Sequence, residues 1–324
     1  MTSNGQLAEP PVSGPAIAQM SEGSDRRRRG LRSRRLRAGL PGLALVAPAF
    51  VFYAVFVLRP LFATVQYSFY EWDGITLATW VGLGNYTRLF TDPDLLGPIV
   101  NAFQLILYFS VIPVLVGLVA AAIIRKFWTS KLAIASRTVL FLPQVIPLVA
   151  AGIMWTWLMA SNGAINQFLG FIGLDGVTRA WLGDFDTALP AVGVIGAWVN
   201  VGLCMLLLLA GMTKVDTSLY EAARIDGAGA IREFWSVTLP AIRPELGIAI
   251  VITVISALRS FDIIYISTQG GPGNATLVPG LEIYYLAFFE RQIGQASAMA
   301  VVLTLLVLAV VIPLNRATRT GNEE

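Results

Sequence analysis

The chain has 324 residues, of which 56% are hydrophobic and only 13% charged. Soluble domains carry about 25% charged residues, so an ordinary soluble enzyme is excluded; so is disorder for the bulk of the chain, which needs low hydrophobicity and high net charge. The net charge of +3 hides an uneven distribution, histidine is absent, and the single cysteine, Cys204, leaves no intrachain disulfide and no thiolate metal cluster.

Residues 1–25 are rich in Ser, Pro, Gly and Ala and read as a disordered tail. Arg26, Arg27, Arg28, Arg29, Arg32, Arg34, Arg35 and Arg37 follow. Such a run can be a nucleic-acid patch. Directly before an apolar span it reads instead as a cytoplasmic membrane flank, with lipid and not nucleic acid as its neighbour. The block lies far from the start and precedes a long span, which argues against a cleaved signal peptide.

Six apolar runs are long enough, or nearly so, for a bilayer core of about 30 Å. They are Leu40 to Leu58, Pro98 to Ile124, Thr138 to Met159, Ala188 to Met212, Leu246 to Ser267 and Ala296 to Leu314. An all-α membrane protein with six transmembrane helices follows. Residues 1–37 form its basic tail, 38–315 the membrane domain and 316–324 a short second tail. With the N-terminus inside, 18 Lys and Arg fall on the inner side and four on the outer, while Arg259 lies within the fifth span. That asymmetry puts both ends in the cytoplasm. Pro48, Pro113, Pro143 and Pro147 lie inside spans. They kink helices or free carbonyls, giving bent helices around a polar path.

The connection over 214–244 is the most informative stretch. Ser218 and Glu221 have capping-box spacing, so a helix is expected to start near Ser218. Gly227 and Gly229 end it within a few turns. A second helix, about Ala230 to Thr238, places Ile231, Phe234, Trp235 and Thr238 on one face, and Pro240 ends it. Two short helices at a glycine elbow result. They fit either a helix pair lying on the membrane surface or a docking element for a soluble partner.

Glu221-Ala222-Ala223, three residues, Gly227, nine residues, Val237, one residue and Leu239-Pro240 resemble the EAA loop of permease subunits of ATP-binding-cassette (ABC) importers. The family often has isoleucine where Val237 stands. VGLGNYTRLFTDPD (Val81 to Asp94), the run Leu140 to Asn166 and LRSFDIIYISTQGGPGNAT (Leu258 to Thr276) resemble segments of the carbohydrate-importer branch, which includes maltose, disaccharide and glycerol-phosphate permeases. The resemblance covers roughly 40–315. It implies the type I importer permease fold, a bacterial inner (plasma) membrane location, and half of a translocation pore completed by a second permease, most simply as a heterodimer. It also implies a pair of ATPase subunits and an extracytoplasmic solute-binding protein that delivers a sugar. No GxxxxGK[ST] phosphate cradle occurs in the chain. The protein is therefore expected to be no enzyme and to bind no cofactor directly; ATP acts through the partner subunit.

Within the loop, Gly227 would allow close backbone approach and form the turn between the helices. Glu221 would either pair with a basic residue of the ATPase or cap its own helix. For the substrate path the candidates are Arg259, Asp262, Gln144, Trp155 and Asn200, with Gln104, Trp157 and Trp198 as further polar or aromatic groups in spans. Arg259 and Asp262, at i and i+3, are expected to pair on one helical face at the outer end of the fifth span. A structural ion pair is the favoured reading there, because a sugar site belongs nearer the midplane. A secondary transporter or channel would also have six spans and kinks, but it would not explain the EAA-patterned elbow. An intramembrane enzyme lacks a catalytic set in the spans.

Overall fold

The structure, a computed structural model, describes the backbone of residues 45–319 and the side chains of 45–316. The expected tail over 1–37 and most of that over 316–324 lie outside the described residues. The chain divides into two compact units, Met1–Ala63 and Thr64–Glu324.

Helix α1, Leu45–Tyr67, has 23 residues. At 1.5 Å per residue it spans about 35 Å, enough for a bilayer core. It runs past the expected end at Leu58. A short antiparallel pair follows, β1 Tyr70–Glu71 and β2 Thr79–Trp80, with Tyr70 opposite Trp80. Next come α2, Gly84–Thr91, and α3, Pro93–Lys126, whose N-terminus is capped by the Asp92 carboxylate accepting from the Asp94 amide.

The third expected span, Thr138 to Met159, is two helices and not one: α4 Lys131–Val145 and α5 Leu148–Leu158 meet at 101°. Pro147 disfavours the α region at the residue before it, and Ile146 is accordingly extended with ψ 130°. After α6, Ala164–Phe171, comes α7, Ala188–Lys214. It is the central helix, with 67% of its most apolar window buried against 33% for α3. Two of its glycines take neighbouring elements at close range. A β-carbon at Gly202 would collide with the backbone of Leu140 and Phe141, and one at Gly196 with the Phe109 ring.

Helices α8, Thr217–Ile225, and α9, Ala230–Ala241, form the elbow. Helix α10, Arg243–Leu258, leaves α9 at a 71° bend. The chain breaks over Arg259–Phe261 before α11, Asp262–Ser267, so the fifth expected span is also interrupted. Helices α12, Pro279–Phe288, and α13, Ile293–Arg319, complete the described chain. Among the described residues four helices are long and apolar enough to cross a membrane, and up to six spans result if each of two bent pairs is counted as one. Leu105, Phe109, Val192, Ile195, Ile264 and Leu281 form one buried cluster around α7; Ala121, Ile124, Met205, Leu208, Met212 and Ile242 form a second nearer the elbow.

Among the described residues three π turns interrupt the helices, at Ala54–Leu58, Leu107–Val111 and Phe234–Thr238. Each ends two residues before a proline: Pro60, Pro113 and Pro240. A proline ring clashes with the carbonyl four residues back, and the wider π turn makes room for it. In each case the residue before the proline donates five residues back instead: Arg59 to Ala54, Ile112 to Leu107, Leu239 to Phe234. This is why α1 passes through Pro60, and why Pro240 does not end the second elbow helix, which continues to Ala241.

Candidate functional site

The elbow is fixed by local bonds at both ends of each short helix. Asp216, not Ser218, caps α8: its Oδ1 accepts from the Ser218 amide at 2.9 Å. That bond, with help from the Ser218 hydroxyl, holds the Asp216 carboxyl below the usual carboxylate range. The capping box of Ser218 and Glu221 does not form, since a charged carboxylate two residues earlier already takes the free amide. Glu221 and Ala222 are exposed, and Glu221 makes no side-chain hydrogen bond or ion pair among the described residues. Its cap role is thereby removed.

At the other end of α8 the Ala228 amide donates to the Ala223 carbonyl at 2.9 Å and the Gly227 amide to the Arg224 carbonyl at 3.0 Å. This is a Schellman ending, which needs a left-handed residue; Gly227 supplies it with φ +78°. No other atom lies within 4 Å of where its β-carbon would be, so the requirement here is conformational and not one of space. Arg224 then ties the two helices together, its Nε donating to Glu233 at 2.9 Å. Glu233, by hydrogen bond and charge, raises the Arg224 pKa against the opposing effect of burial, and Glu221 adds to it.

The expected single face of the second helix splits. Thr238 is buried and Phe234 half-buried, while Ile231 and Trp235 are 78% and 63% exposed. The π turn inserts a residue between them and shifts the helical phase. Ile225 is 86% exposed. The elbow therefore presents an apolar surface carried on a rigid, internally bonded frame. Of the remaining motif residues, Ala223, Val237 and Leu239 are half-buried and Pro240 is exposed.

The second site is a cavity of about 280 Å³ at the breaks in α4–α5 and α10–α11. Gln144, Asn200, Arg259 and Asp262, separated by up to 118 positions in sequence, all line it, with Phe109, Ser256, Ser260 and Phe261. Phe109 and Asn200 lie at the middles of α3 and α7, so the cavity is at mid-span and not at the outer end. Asn200 Nδ2 donates to the Gly196 carbonyl at 2.9 Å. Gln144 Oε1 and Ser260 Oγ are buried without a partner. Each such atom costs about 1–3 kcal/mol, a cost that a polar guest would offset.

Arg259 and Asp262 form no ion pair. The expected pairing required one continuous helical face, and the break over Arg259–Phe261 removes it. Both are exposed at the cavity's rim. Trp155 lies outside the lining; it packs edge-on against Trp198 with ring centroids 5.6 Å apart. Gln104 and Trp157 are exposed and do not take part. The cavity residues missing from the sequence reading are Ser256, Ser260, Phe109 and Phe261. Ser260 had a legible signal, since it lies between the two charges of an otherwise apolar run.

The sequence model of the family described as "Binding-protein-dependent transport system inner membrane component" matches residues 113–319. "Probable ABC transporter permease protein YurN" of Bacillus subtilis is 37% identical over 287 residues, 88% of this chain and 98% of that protein. "Diacetylchitobiose uptake system permease protein NgcF" of Streptomyces coelicolor is 34% identical over 298 residues, 87% of this chain and 84% of that protein. A chain of a solved bacterial ABC transporter involved in the import of the acidic polysaccharide alginate has the same fold, with a TM-score of 0.75 at 23% identity over 90% of this chain and 99% of that one. An elbow on a rigid frame, a polar cavity at mid-span and these likenesses lead to one conclusion: the chain is a membrane-spanning permease that belongs to the family of binding-protein-dependent ABC importer inner-membrane components.

Proposed function

We propose that this chain forms half of the pore through which a carbohydrate enters a bacterial cell, and that its elbow takes up the motion of a separate ATPase. The second half is another permease; two ATPase subunits lie on the cytoplasmic side, where both termini also lie, and an extracytoplasmic binding protein delivers the sugar. The observation that carries the half-pore reading is the exposure of Arg259 and Asp262 at mid-span level. Charges at such depth cost about 2.5–3.5 kcal/mol each against lipid. That wall of the cavity therefore faces a water path or a partner subunit. The relatives named for diacetylchitobiose and lactose uptake support a carbohydrate as the cargo.

Helix α10 joins the two sites. It begins at Arg243, beside the elbow, and ends at Leu258, beside the cavity. Its 16 residues make a rod of about 24 Å. Ile242, fully buried between α9 and α10, anchors the near end in the core. Closure of the ATPase pair would pull the elbow as a unit and turn this rod, opening the cavity to one side and then the other. That is rigid-body switching between two states. Within the cavity, Gln144, Asn200 and Ser260 offer hydrogen bonds to hydroxyls, and Phe109 and Phe261 offer apolar ring faces.

The test is uptake by the complete importer carrying Gln144→Leu with Ser260→Ala. The expected result is normal assembly with uptake reduced about tenfold or more, the scale for losing two buried hydrogen bonds. Unchanged uptake would overturn the cavity as the sugar's path.

A further inference from the structure

A second cavity, of about 900 Å³, lies between the elbow end of α3 and the helices α8 and α9. Its walls are mixed. Arg125, Lys126 and Arg224 line it, and so do Ile123, Met212, Phe234 and Trp235. The cations differ in what they already hold. Arg224 is committed to Glu233. Arg125 is half-buried, with no carboxylate and no hydrogen-bond acceptor among the described residues; its guanidinium lies 3.9 Å over the Tyr220 ring. Tyr220 is itself buried and held by Thr238, with the two hydroxyls 3.1 Å apart. Arg125 is thus oriented by a fixed platform while its donors stay open. Lys126 is exposed beside it and has no anionic partner among the described residues either.

The same helix carries an apolar stripe leading to this cation pair. Leu115, Val119 and Ile123 are exposed at successive turns of α3, and Lys126 continues the stripe. Such a stripe on a membrane-spanning helix faces acyl chains. A paired cation at its end, opening on a cavity rimmed by Trp235 and Ile231, matches a molecule with an anionic head and an apolar tail.

We propose that this cavity binds the headgroup of an anionic phospholipid, its phosphodiester held by Arg125 and Lys126 and its chains lying along Leu115, Val119 and Ile123. A lipid here fills the space behind the elbow and braces α9 against α3. The proposal requires only that α3 crosses a bilayer. It stands independently of whether the elbow docks an ATPase.

Native mass spectrometry of the full-length chain, purified in detergent and exposed to equal amounts of phosphatidylglycerol and phosphatidylcholine, tests it. The wild-type chain should retain phosphatidylglycerol in preference. Arg125→Gln with Lys126→Gln should lower that preference about thirtyfold, the scale for two basic groups at a membrane surface. Lys126→Gln alone leaves the Tyr220 platform untouched and should lower it in the same direction. Lys131→Gln, the same charge change outside the cavity, should leave it unaltered. Equal preference in the wild-type chain and in Lys126→Gln would overturn the proposal. So would displacement of the bound lipid by equimolar inorganic phosphate, which would make this a site for a soluble anion.

Discussion

The elbow and the mid-span cavity are built on opposite plans. In the elbow the backbone polar groups at the turn between the helices are satisfied by near neighbours, through the Asp216 cap, the Schellman ending at Gly227 and the Arg224–Glu233 tie, while apolar side chains such as Ile225 and Ile231 face outward. In the cavity the apolar groups are packed, and it is polar atoms, Gln144 Oε1 and Ser260 Oγ, that lack partners. A satisfied frame with bare apolar side chains suits a protein surface; a cavity with unsatisfied buried polar atoms suits a hydroxylated guest. Helix α10 connects the two, so work done on the first reaches the second.

Breaking the frame of the elbow should have the largest effect. Gly227→Val puts a β-branched residue at φ +78°, where ordinary residues lose about 1–2 kcal/mol and branched ones more. Uptake should fall to background while the protein still inserts into membranes, as read by transport assays beside membrane fractionation. Normal uptake would show that the elbow need not be rigid.

The cavity side of the comparison is sharpened by Arg259→Ala and Asp262→Ala. Each should lower uptake about tenfold or more. Because the two groups are not paired, a double-mutant cycle on assembly should show no ion-pair coupling between them, that is, less than about 1 kcal/mol. A larger coupling would restore the ion pair that the break in the fifth span removes.

Smaller effects come from the scaffold. Gly202→Ala drives a methyl group into the backbone of Leu140 and Phe141. It should cost about 1–3 kcal/mol, seen as a fall of several degrees in Tm. The remaining effect is a pH dependence. Burial, and then the negative charges of Glu290, Asp94 and Asp92, push the Glu282 carboxyl in α12, between the fifth and sixth spans, from 4.5 up to about 7. The folded chain then keeps a proton that the unfolded chain releases. Stability from this group is full below pH 4.5, falls as pH rises toward 7, and is level above. Tm measured against pH should show that slope in the native chain and lose it in Glu282→Gln.

The two regions were unequally legible. The elbow is local. Gly227, the short α8 and the exposed Glu221-Ala222 pair follow from residues within a few positions of one another. Its errors were local too: Asp216 outcompeted Ser218 as the cap, and a π turn carried α9 past Pro240. The cavity is made by tertiary packing. Gln144, Asn200 and Arg259 meet only because α4–α5 and α10–α11 break at the same level beside α7. Pro147 announced one break. Nothing in the run from Leu258 to Asp262 announced the other, so the charges there read as neighbours on one face. Trp155 packs against Trp198 outside the cavity lining, and its buried Nε1 has no partner among the described residues.

The most direct measurement reads ATP hydrolysis and sugar uptake together in vesicles holding the complete importer. Gly227→Val should lose both, because the elbow no longer passes motion to the permease. Gln144→Leu with Ser260→Ala should keep hydrolysis stimulated by the binding protein while losing uptake, because motion arrives but the path no longer holds the sugar. If both variants lose or keep the two activities in parallel, the division of labour between elbow and cavity is contradicted.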